Sequence, residues 1–236
     1  AVKYYKLAAD KGNTNAMNNY AFMLYKGDGV LVNKKEAVKY YKLAADKGST
    51  SAMYNYAIML EKGKVISVNK EEAVKYYKLA ADKGNDDAMY NYAIMLDKGD
   101  GVPVNKEEAL KYYKLSADKG NDDAMYNYAN MLDEGDGISV NKEEAVKYYK
   151  LAIDKGSTSA MYNYAVMLYK GDGVSINKEE AFKYIKLAAD KGNANAMVIY
   201  AIMLDEGEGV PINKEEAFKY YKIAYENGDD KIKHYI

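Results

Sequence analysis

The sequence predicts an all-α solenoid built from helix pairs, and three observations carry that prediction. Asn recurs at Asn33, Asn69, Asn105, Asn141, Asn177 and Asn213, each 36 residues after the last, and a fixed period of roughly 20–50 residues marks units that bury apolar faces only against their neighbours. Within a unit the apolar residues return at about 100° per residue, the period of a helix and not of a strand. Glycine and Asn or Ser punctuate every copy at the same offsets, where helices stop and start.

Taken in order, each unit reads as a first helix, a loop and a second helix. The first helix is typified by Ser51 to Lys62, with Ala52, Tyr56, Met59 and Leu60 on one side and Gly63 as its stop. The loop is typified by Gly99-Asp100-Gly101-Val102-Pro103-Val104, a turn that needs at least one residue at positive φ. One copy, Gly63-Lys64-Val65-Ile66, lacks the second glycine, so either that position tolerates negative φ or its loop differs locally. The second helix is typified by Lys70 to Lys83, where Ala73, Val74, Tyr77, Ala80 and Ala81 share a face. Asn69 is its N-cap, Glu72 stands in capping-box position, and Gly84 suits a left-handed stop. The link to the next unit reads as Gly84, Asn85 and an acidic turn, Asp86 and Asp87. Helices this short are marginal alone, so packing between units must stabilise them.

The whole chain, 1–236, is expected to be one elongated domain of approximately six and a half repeats. Ala1 aligns with Ala37 and Ala73 inside a repeat, which predicts a natural N-terminus, with any targeting signal, further upstream. With no such signal visible, the cytoplasm is favoured. The segment Asp229 to Ile236 reads as the start of another first helix. Repeat interfaces at both ends would then be open to stacking end to end, a spacer reading that a charge at Tyr5 or Leu7 would disrupt.

Composition removes several function classes. Lys+Arg is 34 against Asp+Glu 35 and the basic residues are lysines, so there is no basic stripe for nucleic acid and no bidentate phosphate clamp. No apolar run approaches the roughly 18 residues of a membrane helix. Cysteine is absent and His234 is the single histidine, which leaves no Cys–His pair and no common metal set. Asp97 to Glu108 has the length of a calcium loop, but glycines fill ligand positions and Val102 replaces the turn glycine. The pairs Glu71-Glu72 and Glu107-Glu108 read as helix caps, and the 27 tyrosines as structural. No catalytic, cofactor or metal site is expected.

The pattern Ala88-x-x-x-Tyr92-Ala93-x-x-Leu96-x-x-Gly99-x-Gly101-Val102, followed by Ala109-x-x-Tyr112-Tyr113-x-x-Ser116-Ala117-x-x-Gly120, resembles the SEL-one-like repeat, a longer-looped relative of the tetratricopeptide repeat. Two positions depart from that family: Ala57, Ala93 and Ala129 replace a usual glycine, and Tyr76, Tyr112 and Tyr148 a usual tryptophan. The resemblance implies a right-handed superhelix of antiparallel helix pairs, first helices lining a concave face, and an adaptor role in gathering proteins. Some secreted relatives are linked to β-lactam binding or hydrolysis, but those are stapled by disulfides.

The helical wheel supplies a candidate surface. If Ala52, Tyr56, Met59 and Leu60 face inward, then Ser51, Tyr54, Ile58 and Glu61 face outward. Partner contact is therefore expected at Tyr54, Tyr90, Tyr126 and Tyr162, at Asn130, and at an acidic row of Glu61, Asp97, Asp133 and Asp205, which would favour a protein or peptide carrying Lys or Arg. In the same row Tyr25 and Tyr169 take the place of the acid. The competing reading packs Tyr54 and Ile58 against the neighbouring first helix. On the outward reading Tyr126→Ala costs under about 1 kcal/mol, against about 3–5 for the core Tyr128→Ala. Leu43, Leu79, Leu115, Leu151 and Leu187 are expected to cap a seam between units under lysine stems.

Overall fold

The structure, a computed structural model, describes residues 1–227. Among them are helices and loops with no strand, gathered into two compact units, one of residues 1–121 and one that begins at residue 122. The first unit holds α1 (Val2–Asp10), α2 (Thr14–Lys26), α3 (Lys34–Asp46), α4 (Thr50–Lys62), α5 (Lys70–Asp82), α6 (Asp86–Lys98) and α7 (Lys106–Asp118). The second holds α8 (Asp122–Glu134), α9 (Lys142–Asp154), α10 (Thr158–Lys170), α11 (Lys178–Asp190), α12 (Ala194–Glu206) and α13 (Lys214–Glu226). In each unit consecutive helices pack as antiparallel pairs, even-numbered first helix against odd-numbered second helix. Both His234 and the stretch Asp229 to Ile236 lie outside the described residues.

Local chemistry sets the boundaries. Asn69 Oδ1 accepts the Glu72 amide at 3.1 Å, while Asn69 Nδ2 donates to the Glu72 carboxylate at 3.0 Å. The same reciprocal cap opens α3, α7, α9, α11 and α13. Asp86 and Asp87, expected in a turn, are instead the first two residues of α6, because Asn85 caps them directly by accepting from Ala88 N at 2.7 Å. Their charges therefore sit on the positive helix end. Gly63 closes α4 at φ +62.

The interhelical loop turns on two left-handed glycines, Gly99 at φ +74 and Gly101 at φ +72. Gly101 has a second reason to be glycine, since a Cβ there would lie 2.5 Å from the Lys70 carbonyl carbon of the preceding repeat. The copy with Val65 differs as the sequence allows. No described non-glycine residue has positive φ, so Val65 takes an ordinary conformation. The loop amide that bonds back to the first helix, as Asp100 N does to Met95 O at 2.9 Å, finds no such acceptor at Lys64. Met59 is half-buried there, whereas Met23, Met95, Met131, Met167 and Met203 are buried.

The interior is made of alanine and tyrosine. Ala57, Ala93 and Ala129 are completely buried, letting helices approach closely, and Tyr92 meets Tyr112 edge-on with ring centroids 4.8 Å apart. The phenols need hydrogen-bond partners once buried, and the caps supply them: Tyr92 Oη donates to Glu108 at 3.1 Å, Tyr128 to Glu144 at 2.9 Å and Tyr200 to Glu216 at 2.8 Å. Each of these glutamates thus closes a second helix and anchors the first. Successive second helices are tied by Tyr76 Oη donating to Asp46 at 2.6 Å, repeated from Tyr112 to Asp82 and from Tyr220 to Asp190. Lys42 holds the Asp46 carboxyl below its usual range, with Tyr76 adding to the effect. The Leu row is not covered as expected. Leu43, Leu79, Leu115, Leu151 and Leu187 are 38–46% exposed, and Leu43 and Leu79 border open grooves between second helices, because the lysine stems beside them extend into solvent.

Two substitutions test this packing by urea denaturation. Tyr128→Ala should cost about 3–5 kcal/mol, as it removes a ring that is 4% exposed and orphans the Glu144 acceptor. Gly101→Ala should cost at least about 2 kcal/mol through the clash with Lys70 and the left-handed backbone; a loss below half that would mean the loop yields freely.

Candidate functional site

The outward rows of the first helices are only half open. Tyr54, Tyr90, Tyr126 and Tyr162 are half-buried, and so are Ile58, Ile94, Asn130, Val166 and Ile202. Tyr54 lies 6.0 Å from the Tyr77 ring, Tyr90 6.0 Å from Tyr113 and Tyr126 6.2 Å from Tyr149. Each exposed ring edge therefore stands on a second-helix tyrosine that is itself buried. Tyr126→Ala consequently loses a ring contact, and the expected cost rises from under about 1 to about 1–2 kcal/mol. Asn130 is engaged too, accepting from Asn163 Nδ2 at 3.0 Å and from Tyr149 Oη at 3.4 Å.

The acidic row is not a free strip. Its carboxylates accept hydroxyls from buried tyrosines: Glu61 from Tyr77 at 2.6 Å, Asp97 from Tyr113 at 3.5 Å and Asp133 from Tyr149 at 3.4 Å. A lysine nine residues on closes the pair, with Lys106 on Asp97 at 2.7 Å, Lys142 on Asp133 at 2.5 Å and Lys214 on Asp205 at 2.8 Å. These acids meet the demands of their own repeat first, a role that sequence periodicity conceals because donor and acceptor lie on different helices.

Where Tyr replaces the acid, the arrangement opens. In the first unit a cleft of about 200 Å³ is lined by Phe22, Tyr25, Tyr41, Ile58, Met59 and Val65, with Lys26, Lys62 and Lys64 around it. In the second unit the equivalent positions, 144 residues on, line a cleft of about 300 Å³ that includes Val166, Tyr169, Ile185, Ile202 and Met203, with Lys170, Glu206 and Glu208. The lysine that would have met the acid turns to the ring: Lys34 Nζ is 5.4 Å from the Tyr25 centroid and Lys178 is 4.8 Å from that of Tyr169. Phe22, at 48% exposed, is the most open member of its row, and Tyr169 is 36% exposed. No group of three or more His, Cys, Asp or Glu side chains suited to a metal occurs among the described residues, and no described helix is long and apolar enough to cross a membrane.

The chain matches the Sel1 repeat at residues 1–13, 14–49, 50–85, 86–121, 122–157, 158–193 and 194–229. The chain belongs to the Sel1 repeat family. Among solved structures, a protective antigen of uropathogenic Escherichia coli displaying an SLR fold is similar at TM-score 0.90 and 26% identity over 99% of this chain. This chain spans 50% of that protein. A Sel1 repeat protein from Oxalobacter formigenes is 30% identical over 90% of this chain and 85% of its own, at TM-score 0.77. PilF of Pseudomonas aeruginosa, 17% identical over 97% of this chain and 98% of its own at TM-score 0.65, shares the fold. No curated protein sequence matches the chain. Sel1 repeat proteins are commonly protein-interaction scaffolds.

The tyrosine network also fixes how the Sel1 array responds to alkali. Burial, then the Glu108 hydrogen bond, pushes the Tyr92 phenol up to about 12, and burial with Asp190 does the same to Tyr220. A phenol that holds its proton more tightly when folded stabilises the fold fully below the unfolded value of about 10 and loses that contribution as pH rises towards 12. The melting temperature followed by circular dichroism should be flat from pH 7 to 9.5 and fall between about 10 and 12; Tyr92→Phe should fall less.

Proposed function

We propose that this Sel1 repeat chain is a noncatalytic protein-binding scaffold that holds a peptide or partner protein on its first-helix face. The observation that carries this reading is the pair of apolar clefts, one per unit, at equivalent repeat positions. Their volumes lie at or below the roughly 300–1,000 Å³ of small-molecule sites, which suits one or two partner side chains better than a metabolite. Tyr54 and Tyr90 flank the face in the first unit, and Tyr126, Tyr162 and Asn130 in the second. These residues offer ring edges and amide groups of the kind enriched at interfaces. In this reading Glu61, Asp97, Asp133 and Asp205 brace the face from within, and recognition of Lys or Arg would come only after displacing their own lysine and tyrosine partners. The acids nearest this face, such as Glu108 and Asp97, serve helix caps and interhelical pairs, which supports the noncatalytic reading.

Selection from a random peptide display library against the full chain tests the proposal. The expected result is enriched peptides whose binding falls at least about tenfold in the Phe22→Ser, Tyr169→Ser double variant, since both side chains are exposed enough to change without unfolding the chain. No enrichment over an unrelated helical protein, or equal binding to the variant, would sink the scaffold reading at this face.

A further inference from the structure

The two clefts are not equivalent in chemistry, and the difference centres on one hydroxyl. In three copies a buried second-helix tyrosine donates to the acid of the facing first helix, Tyr77 to Glu61, Tyr113 to Asp97 and Tyr149 to Asp133. In the second-unit cleft the acid is missing, because Tyr169 stands in its place, and the partner tyrosine is missing as well, because Ile185 replaces it. The demand and its supply are absent together. In the first-unit cleft only the supply is gone. Tyr25 replaces the acid, but Tyr41 remains, its ring 2% exposed and lining the cleft beside Asn55, whose amide donates to Asn18, and the Tyr41 hydroxyl makes no hydrogen bond to a described residue. The hydroxyl is not sealed from solvent, so an acceptor entering the cleft would take the place of water on it.

The cations around this cleft point the same way. In other copies the first residue of the second helix is paired with a carboxylate of the following loop: Lys70 with Asp100 at 2.8 Å, Lys142 with Asp172 at 2.7 Å and Lys178 with Glu208. At this copy the loop position is Lys64, so the sequence supplies Lys34 with no such carboxylate, and its Nζ lies over the Tyr25 ring instead. Lys26, Lys62 and Lys64 are exposed around the opening, and no carboxylate lines the cleft. A cleft floored by a hydroxyl donor, walled by Phe22, Ile58 and Met59 and ringed by lysines is complementary to an anion carried beside an apolar group.

We propose that the first-unit cleft binds an acidic peptide segment, placing an Asp or Glu carboxylate on the Tyr41 hydroxyl and Lys34 while an adjacent apolar side chain packs on Phe22 and Met59. The partner's carboxylate then stands where Asp97 stands between Tyr113 and Lys106 one repeat pair further on. This inference rests on the scaffold reading and gives that face its selectivity.

The test uses fluorescence anisotropy on the full chain with three labelled eight-residue peptides that share a central Leu-Phe pair. They are flanked by glutamates, by glutamines or by lysines. The glutamate peptide should bind at least about tenfold tighter than the glutamine peptide, and the lysine peptide weaker still, with the advantage shrinking as salt is raised. Tyr25→Asp, which rebuilds the internal acid, and Tyr41→Phe, which removes the donor without changing the ring, should each reduce the advantage to under about threefold. Glutamate and glutamine peptides binding within about twofold of each other, or an advantage that survives Tyr25→Asp, would overturn the proposal. If in that case Phe22→Ser still weakens both peptides, the scaffold reading stands and only the charge preference falls; if none of the three binds, the acidic-peptide site is refuted outright.

Discussion

Everything in this array depends on burying phenols without stranding their hydroxyls. Alanine brings the helices close, tyrosine fills the space between them, and each ring carries an oxygen that must find a partner in a dry interior. The repeat answers with acids placed on the neighbouring helix: capping glutamates for the first-helix ring, the first-helix acid for the second-helix ring, and the terminal aspartate of one second helix for the tyrosine of the next. The high acidic content is therefore largely internal wiring, and the lysines beside it complete the same circuits.

That wiring explains which parts of the molecule were legible in the sequence. Period, helix type, caps and glycine stops are local, so Asn69, Glu72 and Gly63 could be read directly from spacing. The inward face of the second helix was equally plain, since Ala73, Val74, Tyr77, Ala80 and Ala81 share one side and all are buried. Interhelical pairing is not local. A wheel drawn on one helix shows Glu61 and Asp97 pointing away from that helix's core and says nothing of the hydroxyl arriving from the second helix sixteen residues later. The acidic turn at Asp86 was misplaced for a related reason: Asn85 can cap immediately, and only the backbone shows that it does.

In a chain of near-copies, function is most visible where a copy fails to repeat. Tyr25 with Lys64 and Val65, and Tyr169 with Ile185, are such places, and each lies at a cleft. A substitution that breaks a circuit at one member only, as at Tyr41, leaves a chemical demand on the surface. One that changes both members, as at Ile185, leaves only shape. On the proposed reading, the two outcomes would give the solenoid two recognition chemistries from a single repeat unit, without altering the scaffold that presents them.

The shared use of the capping glutamate has a consequence for how the array comes apart. Glu108 holds the start of α7 through Asn105 and at the same time holds Tyr92 of α6. Unwinding the first turn of a second helix therefore releases the first helix packed on it, and loosening that first helix exposes the cap to water. That coupling works against helix ends fraying one turn at a time. Opening by whole hairpins is the expected consequence, with amide exchange reporting one protection level per repeat instead of a gradient along each helix.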